Sequence, residues 1–245
     1  MDRGWDFDEA AATASLLQWW QDAGVDTHIA EQPRNWLRPE PIARPRTDAT
    51  ASPLGRFEVP GLPDQLNLFQ AWLSSSDDLP YATPGAPRIC PAGDPTSGLM
   101  ILVDMPAAED CSSGSLLSGR VGMLFDRMMA AIGRNRESLY LVALSCLRSP
   151  NGLLAGSEAV RCAELARHHV GLARPRAVLM FGDGCARALL GASAAQARGR
   201  WHDLATPGAP VRAIATYSPA FLIDQPRFKA QAWADLQMLS EGLNA

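Results

Sequence analysis

Four groups of side chains in this sequence are of types that carry chemistry. Glu109 and Asp110 are adjacent carboxylates, and His168 and His169 are adjacent imidazoles. Gly182-Asp183-Gly184 places an acid between two glycines, where an apolar run meets a helical pattern, and cysteines stand at positions 90, 111, 146, 162 and 185. Each group meets a spacing objection. Two carboxylates work as acid and base only when both reach one substrate, and neighbouring residues diverge on any regular element, so Glu109-Asp110 reads as a solvated loop. Consecutive histidines cannot share a helix face, which argues against a metal pair. A helix N-terminus at Gly182–Gly184 could hold a phosphate, but Asp183 would repel it, and tight turning is the expected role. The five cysteines are odd in number and contain no C-x-x-C pair. They read as reduced thiols, with no disulfide framework and no metal site. No G-x-G-x-x-G opens a helix after a strand and no G-x4-G-K-[ST] occurs, which sets aside the common dinucleotide and nucleotide folds.

The elements that must position any site centre on Leu99–Pro150. The apolar run Leu99–Val103 breaks at Asp104-Met105-Pro106-Ala107, and a polar loop is expected over Ala108–Gly119. A helical pattern follows at Arg120–Gly133, and a second apolar run, Leu139–Leu147, ends at Arg148-Ser149-Pro150. Further apolar runs lie at Ala177–Phe181 and Val211–Ala215, with helical patterns at Ser157–Leu172, Gly184–Leu190 and Arg227–Leu239. Ser157 is the expected cap of the first of these. Strands alternating with helices of this length predict an α/β fold, a three-layer sandwich around a mainly parallel sheet. In such sheets ligands bind beyond the carboxyl ends of the strands.

A chain of 245 residues with 47% apolar content can bury one full domain. Glu9–Ala23 predicts an N-terminal helix with Leu16, Leu17, Trp19 and Trp20 on one stripe, within an extension over residues 1–31. Residues 32–64 are rich in Pro, Arg and Thr and read as a linker, leaving 65–245 as the domain. No apolar run is long enough to span a membrane, which predicts a cytoplasmic protein. Charge is uneven. Residues 1–117 carry 7 Arg against 17 Asp and Glu, whereas residues 118–200 carry 12 Arg against 5. Only the middle of the chain is suited to face a polyanion, although solvated Arg-rich helix surfaces explain the same count.

Gln65-Leu66-Asn67-Leu68-Phe69 resembles the short QL(S/D)LF peptide by which bacterial repair and polymerase proteins bind the sliding clamp. On that reading Gln65 makes polar contacts while Leu66, Leu68 and Phe69 fill an apolar cleft. The alternative is that Leu66, Phe69 and Leu73 form the buried face of a helix over Gln65–Ser74.

From about Leu99 to Leu236 an ordered set of segments resembles the uracil-DNA glycosylase superfamily, and in particular its thermostable, iron–sulfur-bearing members. Leu99–Ala107 stands where that family has a strand ending in GE-(A/G)-PG, and Gly114–Gly133 resembles its GRPFVGRAGQLL…G segment. Glu137–Pro150 corresponds to E-x-VYITN-x-x-KCRPP, and Arg161–Gly191 to C-x-x-x-L…LG-x-x-A-x-x-LLG. Arg198-Gly199-Arg200-Trp201 resembles the RG-x-W turn, and Thr216–Leu222 stands for TYHPAYLL. The resemblance implies a uracil-DNA glycosylase-like sandwich, a DNA partner, and a pocket for a base turned out of the helix.

Carried over residue by residue, the family's kit is thin in this sequence. Asp104 matches the water-orienting Glu and Ser218 the His of the HPA motif, making these the candidate catalytic residues. Met105, Leu117 and Ala143 match the small pocket residue, the stacking Phe and the uracil-reading Asn, leaving an apolar pocket. Pro106, Arg120, Arg148, Arg200 and Pro219 are the candidate DNA contacts. Of the four cluster cysteines only Cys162 is matched, and Leu147 stands at a second ligand position, so no cluster, and no other cofactor, is expected. The sequence leaves open a divergent glycosylase, a non-catalytic relative that kept the DNA-facing scaffold, and an adaptor recruiting the clamp or other repair proteins through Gln65–Phe69 and the Trp19/Trp20 helix.

Overall fold

The computed structural model describes residues 61–244, which belong to a compact unit spanning Ser52–Ala245. The expected Trp19/Trp20 helix and nearly all of the Pro-rich stretch lie outside the described residues. In chain order the elements are α1 (Leu66–Ser75), β1 (Ala92–Gly93), β2 (Leu99–Val103), α2 (Ala108–Ser113), α3 (Gly119–Ala131), β3 (Tyr140–Ala143) and α4 (Gly156–Ala173). There follow β4 (Ala177–Phe181), α5 (Asp183–Leu190), α6 (Ala194–Ala197), β5 (His202–Leu204), β6 (Val211–Thr216), α7 (Pro219–Asp224) and α8 (Lys229–Asn244).

The four long apolar runs form the parallel strands β3-β2-β4-β6, and the short β1 and β5 pair antiparallel at the two edges. Every residue of β2, β3 and β4 is buried, as required of parallel strands covered on both faces. Alternation sorts the core into two layers. Ile101, Leu141, Leu179 and Ile214 pack with Phe125 and Met129 of α3 and Leu236 and Leu239 of α8. Met100, Val142, Val178 and Ala215 pack with Cys162, Ala166 and Val170 of α4 and Ala186 of α5. The result is the expected three-layer α/β sandwich.

Where the elements depart from the sequence reading, short polar segments are responsible. The stretch after Ala107 is not a loop throughout: it forms α2, and Asp110 is only 3% exposed. Its carboxylate accepts bonds from the Ala107 N–H (3.0 Å), the Ser118 N–H (2.7 Å) and the Ser118 hydroxyl (2.6 Å), so Asp110 stitches the post-β2 turn to the start of α3 instead of being solvated. The helix expected to be capped by Ser157 begins one residue earlier, and Ser157 donates to the neighbouring Glu158 at 3.0 Å. Ser218 caps α7, with Pro219 in its first turn, where a missing N–H costs nothing.

Two buried polar networks tie the layers together. Asp235 on α8 is fully buried and accepts from Arg198 through both carboxylate oxygens (3.0 Å each), from the Gly199 N–H (3.0 Å) and from the Thr216 hydroxyl (2.7 Å). It thereby fixes the end of β6 and the turn before β5 onto one helix. On the other face, Gln70 of α1 donates to the Tyr140 hydroxyl at 2.6 Å, which lies 2.8 Å from Nε2 of His169. With Gln70 donating to its oxygen, the phenol O–H donates to Nε2, which requires a neutral imidazole with its proton on Nδ1.

Burial pulls the His169 pKa down to about 3 from 6.5, with the His168 charge adding to the effect. The folded state therefore binds fewer protons than the unfolded state between those values. Stability from this group is complete above pH 6.5 and falls by about 1.4 kcal/mol per pH unit as the pH drops toward 3. Urea unfolding at pH 7 and pH 5 should show this loss, and His169→Gln, which preserves an acceptor for Tyr140, should flatten the slope.

Candidate functional site

Strand register sets the site. Val103 lies beside both Ala143 and Phe181, and Phe181 lies beside Thr216, so the four parallel strands end at one level. The residues that follow each strand emerge along one edge, and main-chain bonds continue past the ladder from Leu144 N–H to Val103 (2.7 Å) and from Gly182 N–H to Thr216 (3.0 Å).

Asp104, the first residue past β2, turns its carboxylate onto the N-terminus of α5. Oδ2 accepts from the Gly184 N–H at 3.1 Å and Oδ1 from the Cys185 N–H at 2.6 Å. The helix start does hold an anion, and that anion is the chain's own side chain. Tight turning alone does not account for the two glycines. A Cβ on Gly184 would stand 2.6 Å from the Asp104 carboxyl carbon, so only glycine admits this approach. Asp183 points elsewhere, accepting from the Ala194 N–H (2.8 Å) and from Arg187 (3.2 Å). Burial raises the Asp104 pKa, the amides of Cys185 and Gly184 work against that rise, and the nearby charge of Asp183 adds to it.

Asp104 and Ser218 line one cleft of about 510 Å³, with Gly182, Asp183, Arg187, Ser193, Tyr217 and Phe221 among its walls. The Ser218 oxygen accepts from the Phe221 N–H at 3.2 Å. That bond uses a lone pair and leaves the hydroxyl proton available. Tyr217 and Phe221 form an aromatic wall, with ring centroids 5.0 Å apart and planes within 25°, and Phe228 packs against both. The sequence reading did not single out these rings, although the spacing of Tyr217 and Phe221 across the Ser-Pro helix start carries the signal.

The three residues expected to line the pocket lie elsewhere. Ala143 is buried at the last position of β3. Leu117 packs into the core on a turn with φ +52°, and its carbonyl accepts from Arg136 at 2.6 Å. That turn presses so closely on α3 that a Cβ on Gly122 would overlap the Leu117 carbonyl oxygen. The Met105 sulfur accepts from the Ser149 hydroxyl at 3.6 Å, away from the cleft walls. Alternation and the Arg136 clamp, which sequence spacing does not show, direct these side chains away from the cleft.

Of the candidate DNA contacts, Pro106 and Pro219 are buried, and Arg120, Arg148 and Arg200 are exposed. Arg148 donates to the Pro106 carbonyl at 3.0 Å and so ties the loop after β3 to the loop after β2. Several other arginines of the basic middle are structural: Arg136 pairs with Asp126, Arg161 with Glu164 and Arg198 with Asp235. Gln65 and Leu66 stand at the start of α1 and Leu68 is 48% exposed, but Phe69 is fully buried in a cluster with Leu73, Leu79, Cys146, Leu147 and Leu165. Among the described residues no group of three or more His, Cys, Asp or Glu is arranged to hold a metal ion, and no helix is long and apolar enough to cross a membrane.

The family model described as the uracil DNA glycosylase superfamily matches residues 90–237, from the residue after Ile89 to the middle of α8. The chain belongs to that superfamily. Among curated relatives, the Type-4 uracil-DNA glycosylase of Pyrobaculum aerophilum is 24% identical over 157 residues, covering 61% of this chain and 80% of the relative. The Type-4 uracil-DNA glycosylase of Archaeoglobus fulgidus is 22% identical over 156 residues, covering 61% and 78%. The superfamily match encloses the cleft, both network-forming strand ends and the loop clamped by Arg148. α1 precedes it.

Gly184→Ala should drive the Asp104 carboxylate off the α5 amides. The expected result is a destabilisation of about 1–3 kcal/mol from the two N–H groups left unpaired, read by urea unfolding. Gly184 has no left-handed φ, so backbone strain does not contribute to that loss; Gly191→Ala, where a Cβ meets nothing within 4 Å but φ is +70°, shows by contrast strain without a clash.

Proposed function

We propose that this superfamily member acts on DNA as a divergent glycosylase, receiving a base turned out of the helix in the Asp104–Ser218 cleft. The observation that carries the reading is the complementarity of that pair. Asp104 offers carboxylate lone pairs beyond the two held by amides, and Ser218 offers a proton. N-glycosidic cleavage passes toward an oxocarbenium-like sugar and an anionic base, so it needs an acceptor to orient water and a donor at the leaving base. Asp104 takes the first role and Ser218 the second. The Tyr217–Phe221 wall supplies a surface on which an extruded base can stack, offsetting the few kcal/mol that extrusion costs.

The same chemistry sets the limits of the activity. A serine hydroxyl is a weaker donor to a developing anion than an imidazole, and loss of one strong donor costs on the order of 10²–10³ in rate. No asparagine or glutamine is among the walls of the cleft to read a uracil edge, so discrimination between uracil and other deaminated bases is relaxed. Arg120, Arg148 and Arg200 contact phosphate, which fixes position on DNA without reading sequence. Work on DNA supports a cytoplasmic location. The two amide bonds that hold Asp104 also support a second reading, a non-catalytic member that binds DNA and keeps the base without releasing it. Recruitment of the sliding clamp through Gln65–Phe69 is disfavoured, because its principal anchor, Phe69, is committed to the domain core.

Purified protein should be incubated with single- and double-stranded oligonucleotides carrying uracil or hypoxanthine, followed by strand scission at abasic sites. Slow release of both bases is expected, abolished by Asp104→Asn and reduced at least tenfold by Ser218→Ala. Binding that persists in Asp104→Asn with no release by the parent protein selects the non-catalytic reading. Absence of DNA binding under low salt refutes both.

A further inference from the structure

The resemblance to iron–sulfur members places two cluster-ligand positions at Leu147 and Cys162, and the structure gives a physical test of whether a cluster fits there. Leu147 has no ligand atom, is 1% exposed, and belongs to the cluster formed by Phe69, Leu73 and Leu79. Cys162, the one cysteine at a ligand position, is fully buried on α4 within the apolar layer of Val142, Ala166 and Ala186. The space between α1, the end of β3 and α4 is a cavity of about 20 Å³, lined by Phe69, Leu73, Leu79, Cys146, Cys162 and His169 among others, room for about one water and not for a cluster. Residues 1–60 contain no cysteine. The residues present do not fit a cluster.

What fills the region instead is specific. Phe69 meets the rings of His168 and His169 edge-on, with centroids 5.0 and 5.1 Å away, and stacks on Trp72 at 5.7 Å. Gln70, the next residue, donates into the Tyr140–His169 pair, and His168 Nε2 lies 2.8 Å from the Pro63 carbonyl ahead of the helix. The helix is therefore fastened by apolar packing and by polar contacts on both sides of Phe69. It grips β3 through Tyr140, the segment after β3 through Cys146 and Leu147, and α4 through Leu165 and both histidines.

We propose that α1 is an apolar plug that replaces an iron–sulfur cluster as the fastener of the β3–α4 region, so that the chain folds and operates without iron. The plug performs mechanically what metal–thiolate bonds would do, holding the Leu144–Pro150 segment and α4 together. It also gives the Gln65–Phe69 segment an occupation inside its own domain. The inference rests on packing at ligand positions and stands whether or not the cleft hydrolyses DNA.

The test uses the full chain, purified without oxygen from iron-sufficient cells. Expected are no stoichiometric iron, no visible absorbance from an iron–sulfur chromophore, and an unfolding temperature unchanged by a strong iron chelator. Phe69→Ala should lower that temperature by roughly 10 °C and speed hydrogen exchange of amides in 144–150 and the first half of α4, with α8 amides less affected. Should Phe69→Ala fail to fold, Phe69→Leu should show a smaller shift in the same amides. Bound iron whose removal lowers the unfolding temperature overturns the proposal, as does a Phe69→Leu exchange pattern identical to that of the parent protein.

Discussion

The contact on which the site depends is the carboxylate of Asp104 seated on the first amides of α5. It joins the end of β2 to the turn after β4, two neighbouring strands whose helices lie on opposite faces of the sheet, so a single side chain spans the middle layer at its functional edge. Charge at a helix N-terminus is favourable and short-ranged, and here burial sharpens it while also raising the cost of ionising the acid. Those two tendencies oppose each other at one atom pair. The outcome is a carboxylate whose direction is fixed by geometry and whose remaining lone pairs face the cleft.

Around this contact the molecule divides its labour between rigid support and chemistry. Asp235 gathers Arg198, Gly199 and Thr216 onto α8, which fixes where β6 ends and therefore where Tyr217 and Ser218 begin. Asp110 performs a similar service for the turn after β2, and Arg148 for the approach of the post-β3 loop. Asp110 and Arg148 hold mainly backbone groups, whereas Asp235 is held mainly by side chains. Breaking a buried ion pair such as Arg198–Asp235 leaves an uncompensated charge, a larger effect than the net worth of the pair itself.

Much of the fold was legible because it is carried by long apolar runs. The runs at 99–103, 139–147, 177–181 and 211–215 have no plausible place except between two helical layers, and the four parallel strands follow from them. The site was legible only in part. Asp104 and Ser218 were identified through an ordered resemblance and do share a cleft, but Met105, Leu117 and Ala143 were placed there by the same resemblance and do not line it. The direction of a side chain at a strand end depends on where alternation stops, and that depends on ladder bonds between residues far apart in sequence. Asp110 was misread for a related reason: its partners, Ala107 and Ser118, lie three and eight positions away in a segment with no periodicity. For Phe69, two readings of the same five residues differed only in what the ring packs against, and the answer sits on α4, about a hundred residues downstream.

The short outer strands have a consequence for the molecule as a whole. Parallel strands as apolar as β2 and β4 would be efficient templates for pairing with another chain if they lay at a border. Instead the sheet is closed off by two residues at one side and three at the other, both running antiparallel to their neighbours. Borders that brief expose few unpaired amides, and both residues of β1 are exposed while β5 turns Asp203 to water and ties the His202 ring to the Ala197 carbonyl. The sheet thus ends in segments poorly suited to edge-to-edge aggregation, and a protein built on a strongly apolar central layer keeps that layer to itself.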